Sequence, residues 1–398
     1  MADQEVCVRD MLLCFSHLRW EFVFQRPQHL MMRFAKDRPV AFWEEPIDCG
    51  KGVPATLHVR PAPGAANVTL ITPKIPLSLS ERAQEIILKN LLDLFVAARP
   101  GRVIRWYYTP MMLPFSRHLE AELTVYDCMD ELSAFRFAPP RLLDLEDELI
   151  KAADLVFTGG YSLFEAKKAR HANTHPFPSS VDPAHFHKAR RAQADPADQA
   201  HLPRPRLGYY GVIDERFDLQ LLDRSAEMRP DWQFVMVGPV VKIDQAELPR
   251  RPNIHYLGSK HYDELPAYLS GWDVALMPFA INEATRFISP TKTPEYLSAG
   301  KPVVSTPIRD VERHYGRLQG VRIAADAGTF VAACEEMLAL ANDGGDWLAE
   351  ADLHLAETNW DVTQGRMAAL IKRELAEVPA DRPFVIAPRS EAVTCTTI

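Results

Sequence analysis

The sequence predicts an α/β protein made of two consecutive layered domains. Three observations carry this reading. Short apolar runs alternate with helical patterns along most of the 398 residues. At roughly 150 residues per domain, that length suits two cores. A polar stretch rich in alanine and proline divides the alternation in two. Strands alternating with helices imply parallel sheets covered by helices.

In the first series, Met11–Phe15 reads as a strand, Gln25–Lys36 as a helix and Val40–Trp43 as a second strand. Glu81–Ala98 is amphipathic, with Ile86, Leu88, Leu91, Leu92 and Leu94 among its apolar positions. Val103–Trp106 and Leu123–Tyr126 read as strands, Leu142–Ala152 as a helix and Leu155–Thr158 as a strand. Ser162-Leu-Phe-Glu165 spells a capping box that would open the next helix.

From about His187 to Arg206 no apolar period survives, which predicts an interdomain linker and a hinge. The second series begins with strand Leu207–Tyr210, helix Leu219–Met228 and strand Gln233–Val237. Strand Ile254–Tyr256, helix Asp263–Ser270 and strand Val274–Pro278 follow, then helix Pro290–Ala299 and strand Val303–Ser305. Thr329–Ala341 and Trp360–Leu375 are the last helices. The expected boundaries are 1–187, a linker at 188–206, 207–358, a crossing helix at 359–376 and an unpatterned tail at 377–398.

A net charge of -8 argues against a protein that binds nucleic acid by broad phosphate neutralisation. The six cysteines, Cys7, Cys14, Cys49, Cys128, Cys334 and Cys395, form no Cys-x-x-Cys pair, so no zinc or redox site is expected. The start, MADQEVCVRDMLLCF, lacks the charged and apolar regions of a signal peptide, and no apolar run reaches membrane length. A cytoplasmic protein is expected, with peripheral contact at the inner membrane face left open.

The most informative stretch is Ala275–Thr306, one strand–loop–helix–strand unit. Ser289 suits an N-cap, Pro290 the first helical position, and Gly300 with Pro302 a helix stop. The helix would start at the carboxyl end of a parallel strand, where ligands of open α/β sheets sit. Thr291 and Lys292 in its first turn suit phosphates, and Glu295 one turn deeper suits ribose hydroxyls. The same spacing also suits a capped surface helix with a Lys292–Glu295 pair.

Glu295-Tyr-Leu-Ser-Ala-Gly-Lys-Pro-Val-Val resembles the donor-binding segment of retaining GT-B glycosyltransferases, above all the bacterial family-4 (group 1) enzymes. Gly208-Tyr-Tyr-Gly211, Val237-Gly-Pro, Leu257-Gly258-Ser-Lys260 and Asp273–Pro278 follow in family order, and Trp360-Asp361 resembles the start of the returning helix. In the first half, Trp20–His29 and Tyr126–Glu131 resemble a bacterial subgroup. The resemblance spans roughly 11–376 and implies two Rossmann-like domains facing a cleft, with the last helix returning to the first domain.

It implies a nucleotide-sugar donor, UDP by family habit, and transfer with retention to a glycan, lipid-linked or small-molecule acceptor in surface polysaccharide or glycoconjugate synthesis. It implies that Arg216, Thr291, Lys292 and nearby amides hold the diphosphate, that Glu295 holds the ribose, and that residues from Gly258 to Tyr262 line the base. The donor set is then Gly211, Arg216, Gly238, Lys260, Tyr262, Asn282, Ser289, Pro290, Thr291, Lys292 and Glu295. Arg216 and Lys292 would stabilise the leaving diphosphate electrostatically. No cofactor or metal is expected.

Three departures stand out. Phe287 occupies the place of the family's other Glu, leaving Asn282 or Glu283 to replace it; Leu221 stands where a Lys is usual; and Ser16–Glu21 replaces a glycine-rich loop. His17, Arg19, Trp20 and Glu21, with Asp127 and Asp130, follow strands at the mouth of the first sheet. His17 and Asp130 are candidate catalytic groups, and Arg19, Trp20, Glu21 and Arg26 candidate acceptor contacts; loop capping explains each equally well. Arg26, His29, Arg33 and Lys36 form a basic helical stripe that suits an anionic acceptor, a membrane face or plain solvent. His185 and His187 lack a third ligand nearby.

A GT-B epimerase and a non-catalytic GT-B binding module remain as competing readings. A nicotinamide dehydrogenase is weaker, because no Gly-x-Gly-x-x-Gly follows a strand. Oligomeric state is not readable.

Overall fold

A computed structural model describes residues 10–99, 101–343 and 345–377. Cys7, Cys395 and the tail from 378 lie outside the described residues. Two sheets organise the chain. The first contains β1 (Met11–Ser16), β2 (Val40–Glu44), β3 (Ile47–Asp48), β4 (Thr56–Pro61), β5 (Val68–Ile75), β6 (Val103–Tyr107), β7 (Leu123–Cys128), β8 (Leu155–Thr158) and β9 (Thr174–Pro176). Its order is β3-β5-β2-β1-β6-β7-β8-β9, with β4 pairing antiparallel on β5.

The second sheet contains β10 (Arg206–Tyr210), β11 (Gln233–Val237), β12 (Ile254–Gly258), β13 (Val274–Met277), β14 (Val303–Ser305) and β15 (Val321–Ile323). Its order is β12-β11-β10-β13-β14-β15, parallel throughout. Strand order reverses beside β1 in one sheet and beside β10 in the other. The crevice outside the carboxyl ends of strands at such a reversal is where doubly wound sheets bind ligands.

Fully buried runs such as Leu12–Phe15 and Phe234–Val237 explain why the central strands read as continuous apolar segments. The sequence reading assigned no strand between residues 44 and 80. There β4 is largely exposed and β5 carries Pro73, so neither shows a clean period. The last helix, Trp360–Glu377, buries Trp360, Met367 and Ile371 in the core of the first sheet.

The segment read as a loose linker is packed. Arg190 donates to both Asp352 oxygens and to the Ser298 carbonyl. Gln199 is buried and bonds Asp195, the Tyr268 carbonyl and the Trp272 indole. Its polar side chains hide an ordered strap on the second sheet's core, because they find partners that are mostly distant in sequence.

The basic stripe is corrected too. Arg26 is 3% exposed and donates to both oxygens of Asp127 and, at 2.7 Å, to the Phe177 carbonyl. His29 is buried and stacks on Trp360 at 4.8 Å. Arg33 and Lys36 both pair with Asp361. His29, Arg33 and Lys36 of the stripe therefore meet the returning helix, and Arg26 is buried against Asp127. Among the described residues, no helix is long and apolar enough to cross a membrane.

Candidate active site

The second sheet builds the site from β10 outward. Gly211 and Gly238 end β10 and β11 with φ of 138° and 141°. A Cβ on Gly238 would overlap the Gly211 carbonyl, and a Cβ on Gly211 would overlap the Lys292 side chain. Glycine is thus required for close approach as well as for the backbone angle. The turn after Gly211 carries Asp214, 4% exposed, whose carboxylate takes Nε and Nη2 of Arg216 at 2.9 and 2.7 Å. This bidentate pair fixes the guanidinium plane.

Lys292 begins the helix Lys292–Ser298, with its Nζ 5.7 Å from the Tyr209 ring centre and 5.9 Å from that of Phe279. Burial lowers its pKa to about 8, with Glu295 opposing the shift and Arg216 adding to it. Glu295 is 5% exposed and accepts the Tyr210 hydroxyl. Burial raises its pKa to about 7, against the pull of Tyr210 and Lys292. Asp130, from the first domain, is raised to about 6 by burial, while Arg216, Arg26 and Lys292 pull it down. Asp130 thus lies within electrostatic reach of Arg216 and Lys292. Such shifted groups mark functional sites.

His17 follows β1 at the first sheet's reversal. Burial and Lys242 lower its pKa to about 4, so the imidazole is neutral at pH 7, and its Nδ1 has no hydrogen-bond partner among the described residues.

Several expected contacts fall elsewhere. Trp20 is 5% exposed and packs edge-on against Phe42, and Glu21 pairs with Arg60 at 2.5 Å. Arg19 bonds Glu44 and the Glu45 carbonyl. With Arg26 consumed by Asp127, the four proposed acceptor side chains are occupied by structural partners. Ser289 does not cap the helix: Thr291 is the capping position, and Ser289 bonds the first domain through Ser179. Pro290 therefore precedes the helix instead of opening it.

Asn282 caps the short turn Glu283–Thr285 and holds the Glu215 carbonyl at 3.0 Å, while Glu283 pairs with Arg286 at the surface. Phe287 packs on the core of the first domain. Lys260 donates to Asp198 at 2.6 Å. Tyr262 stacks on His185 at 4.0 Å and meets Phe24 at 4.6 Å, yet its pKa is raised by burial and by nearby Glu295. Tyr262 thus spans the domain contact and the donor pocket. Nε2 of His185 is bonded to the Tyr262 carbonyl at 3.0 Å.

The sequence reading missed Asp214, Tyr210, Phe135 and Asp310. Asp214 sits two residues before Arg216, a spacing that could have flagged the pair. The expected capping box at Ser162 is instead a domain contact, because Ser162 bonds Asp310 and the capping position is Gly160. Gly160 leaves room for Asp310 and Ser289.

Two largely parallel sheets and a last helix that returns to the first of them set the two-domain architecture around these residues. Residues 204–340 match the family model of glycosyl transferases group 1. The chain is 27% identical over 297 residues to the putative teichuronic acid biosynthesis glycosyltransferase TuaH of Bacillus subtilis (strain 168), covering 69% of this chain and 73% of the other. Sucrose-phosphate synthase from Thermosynechococcus elongatus has the same fold, with TM-score 0.67 at 16% identity over 92% of this chain and 100% of that one. The E. coli trehalose-6-phosphate structure bound with UDP-2-fluoro glucose gives 0.65 at 13% identity over 92% and 99%. Residues 204–340 thus resemble group 1 glycosyl transferases, and the chain has the GT-B fold of these solved neighbours.

Proposed function

We propose that the protein transfers a sugar from a nucleotide-sugar donor, a UDP-sugar first, to an acceptor hydroxyl with retention of configuration. The observation that carries this is the convergence of Arg216, Lys292 and Glu295 at the β10–β13 reversal, facing Asp130. Arg216 and Lys292 take the diphosphate, and Glu295 accepts ribose hydroxyls.

In the reaction the bond from the anomeric carbon to the phosphate oxygen breaks. The acceptor oxygen attacks from the same face, and its proton passes to the departing phosphate. Arg216 and Lys292 stabilise the charge that develops, an effect worth about 2.7–4 kcal/mol for one well-placed donor. Asp130 and neutral His17 orient the acceptor hydroxyl. No metal is assigned, because side-chain cations already fill that role. The TuaH resemblance supports a carbohydrate acceptor destined for a surface polymer.

The test is calorimetric titration with UDP, GDP, ADP and dTDP and then their sugar conjugates. Selective binding that disappears in Glu295→Ala supports the reading. Binding without transfer or hydrolysis favours a non-catalytic module, epimer formation without acceptor favours an epimerase, and no nucleotide binding by folded protein removes the donor site.

A further inference from the structure

Glu215 stands out among the cleft groups that the donor reading leaves unused. Both its carboxylate oxygens are shielded from solvent, and neither accepts a hydrogen bond from a described residue. Its nearest cation is Lys242, with Nζ 3.8 Å from Oε1. Lys242 itself is held in the left-handed region, with φ of 62°, which a side-chain-bearing residue adopts at a cost. Its ammonium lies 5.1 Å from the ring centre of Phe135, a residue of the first domain, and Arg216 lies over the same ring at 5.4 Å. His17, again from the first domain, feels Lys242 and has its own Nδ1 unpartnered among the described residues.

A shielded carboxylate whose oxygens accept no hydrogen bond is expensive unless a ligand satisfies it. The geometry points to a second binding site: Glu215, Lys242, His17 and Phe135 form the acceptor subsite, and its ligand is an uncharged sugar ring. Two neighbouring hydroxyls satisfy the set. One donates to Glu215, the other accepts from Lys242, and Phe135 provides an apolar wall.

Charge decides against an anionic acceptor. Once a diphosphate occupies Arg216 and Lys292, the cation left to this subsite is Lys242, already shared with Glu215. A further carboxylate or phosphate would lie against Glu215 and Asp130. The inference rests on the donor reading above, because it assigns Arg216 and Lys292 to the diphosphate. It adds that the donor domain itself selects the acceptor.

The test uses full-length protein saturated with UDP. Binding of glucose, galactose, mannose and N-acetylglucosamine is followed by saturation-transfer NMR, beside glucuronate and glucose 6-phosphate. At least one neutral sugar is expected to bind, and Glu215→Gln to weaken it at least tenfold. Calorimetric Kd values for UDP and UDP-glucose should be unchanged in that variant. Binding of the anionic sugars alone, of no sugar, or of neutral sugars equally to Glu215→Gln and wild type overturns the proposal. So does a loss of UDP-glucose affinity in Glu215→Gln, which would place the residue at the donor sugar. Failure of wild type to bind UDP would instead sink the donor reading. Lys242→Met gives a second variant with the same expected pattern, and its exposed position makes misfolding a poor explanation for the loss.

Discussion

Ser162 and Asp310, 148 residues apart, meet across the two domains: the Ser162 hydroxyl and amide donate to one Asp310 oxygen at 2.5 and 3.1 Å. Glu165, one turn further along the first domain's helix, pairs with Arg309 and Arg313 of the second. Asp310 is buried, so its two hydrogen bonds act in a dry setting, where charge-assisted bonds contribute about 1.5–3 kcal/mol each. Asp310→Ala is therefore expected to let the domains part. Small-angle scattering of the ligand-free variant should show a larger radius of gyration than wild type, and equal radii would remove the contact from any role in holding the domains together.

Lys292→Ala and Arg216→Ala should each lower turnover by about 10²–10³-fold, the loss seen when one preorganised charge-stabilising donor is removed. Thermal melting should be little affected in Lys292→Ala, whereas Arg216→Ala also strands the buried Asp214 carboxylate and should lower the melt. Stopped donor turnover with an unchanged melt is the expected pair of results for Lys292→Ala, and full activity in both variants contradicts the assignment.

Donor affinity should be bell-shaped in pH. Glu295, raised to about 7, must be ionised to accept ribose hydroxyls, so affinity rises as pH passes upward through that value. Lys292, lowered to about 8, must be protonated to hold phosphate, so affinity falls as pH passes above it. Calorimetric Kd for UDP across pH 5–10 tests both limbs, a window spanning about two units on each outer side. Glu295→Gln should flatten the acidic limb and Lys292→Met the alkaline one.

Arg26→Ala should act on stability. It strands the Asp127 carboxylate, 0% exposed, without its partner, and breaking a buried pair from one side costs about 3–5 kcal/mol. Denaturant unfolding should show that loss. An unchanged midpoint together with weaker acceptor binding would restore Arg26 to the acceptor site.

The strand–loop–helix–strand unit of the second sheet was legible because its signals are contiguous: a strand, a loop, a proline near the helix start and a glycine stop all lie within Ala275–Thr306. Even there, Ser289 turned out to bond Ser179 of the other domain, which no local rule anticipates. The acceptor half was not legible because its partners are remote in sequence. Arg26 meets Asp127 from 101 positions away, and Arg33 meets Asp361 from 328. A basic helix face reads the same whether it faces solvent or a returning helix. The strap at 188–206 failed for a like reason: composition reports polarity, whereas order comes from each polar group finding a partner.

The aromatic contact made by Phe24, His29, His185, Tyr262 and Trp360 has a mechanical side. Ring pairs favour offset-stacked or edge-to-face arrangements over a broad range of separations, about 4.5–7 Å, which tolerates small sliding. The serine–aspartate contact does not, since its bonds weaken steeply with angle. One junction behaves as a bearing and the other as a detent. Relative domain rotation should then be smooth at the first and stepped at the second, where the buried Asp310 carboxylate acts together with the Glu165 pairs.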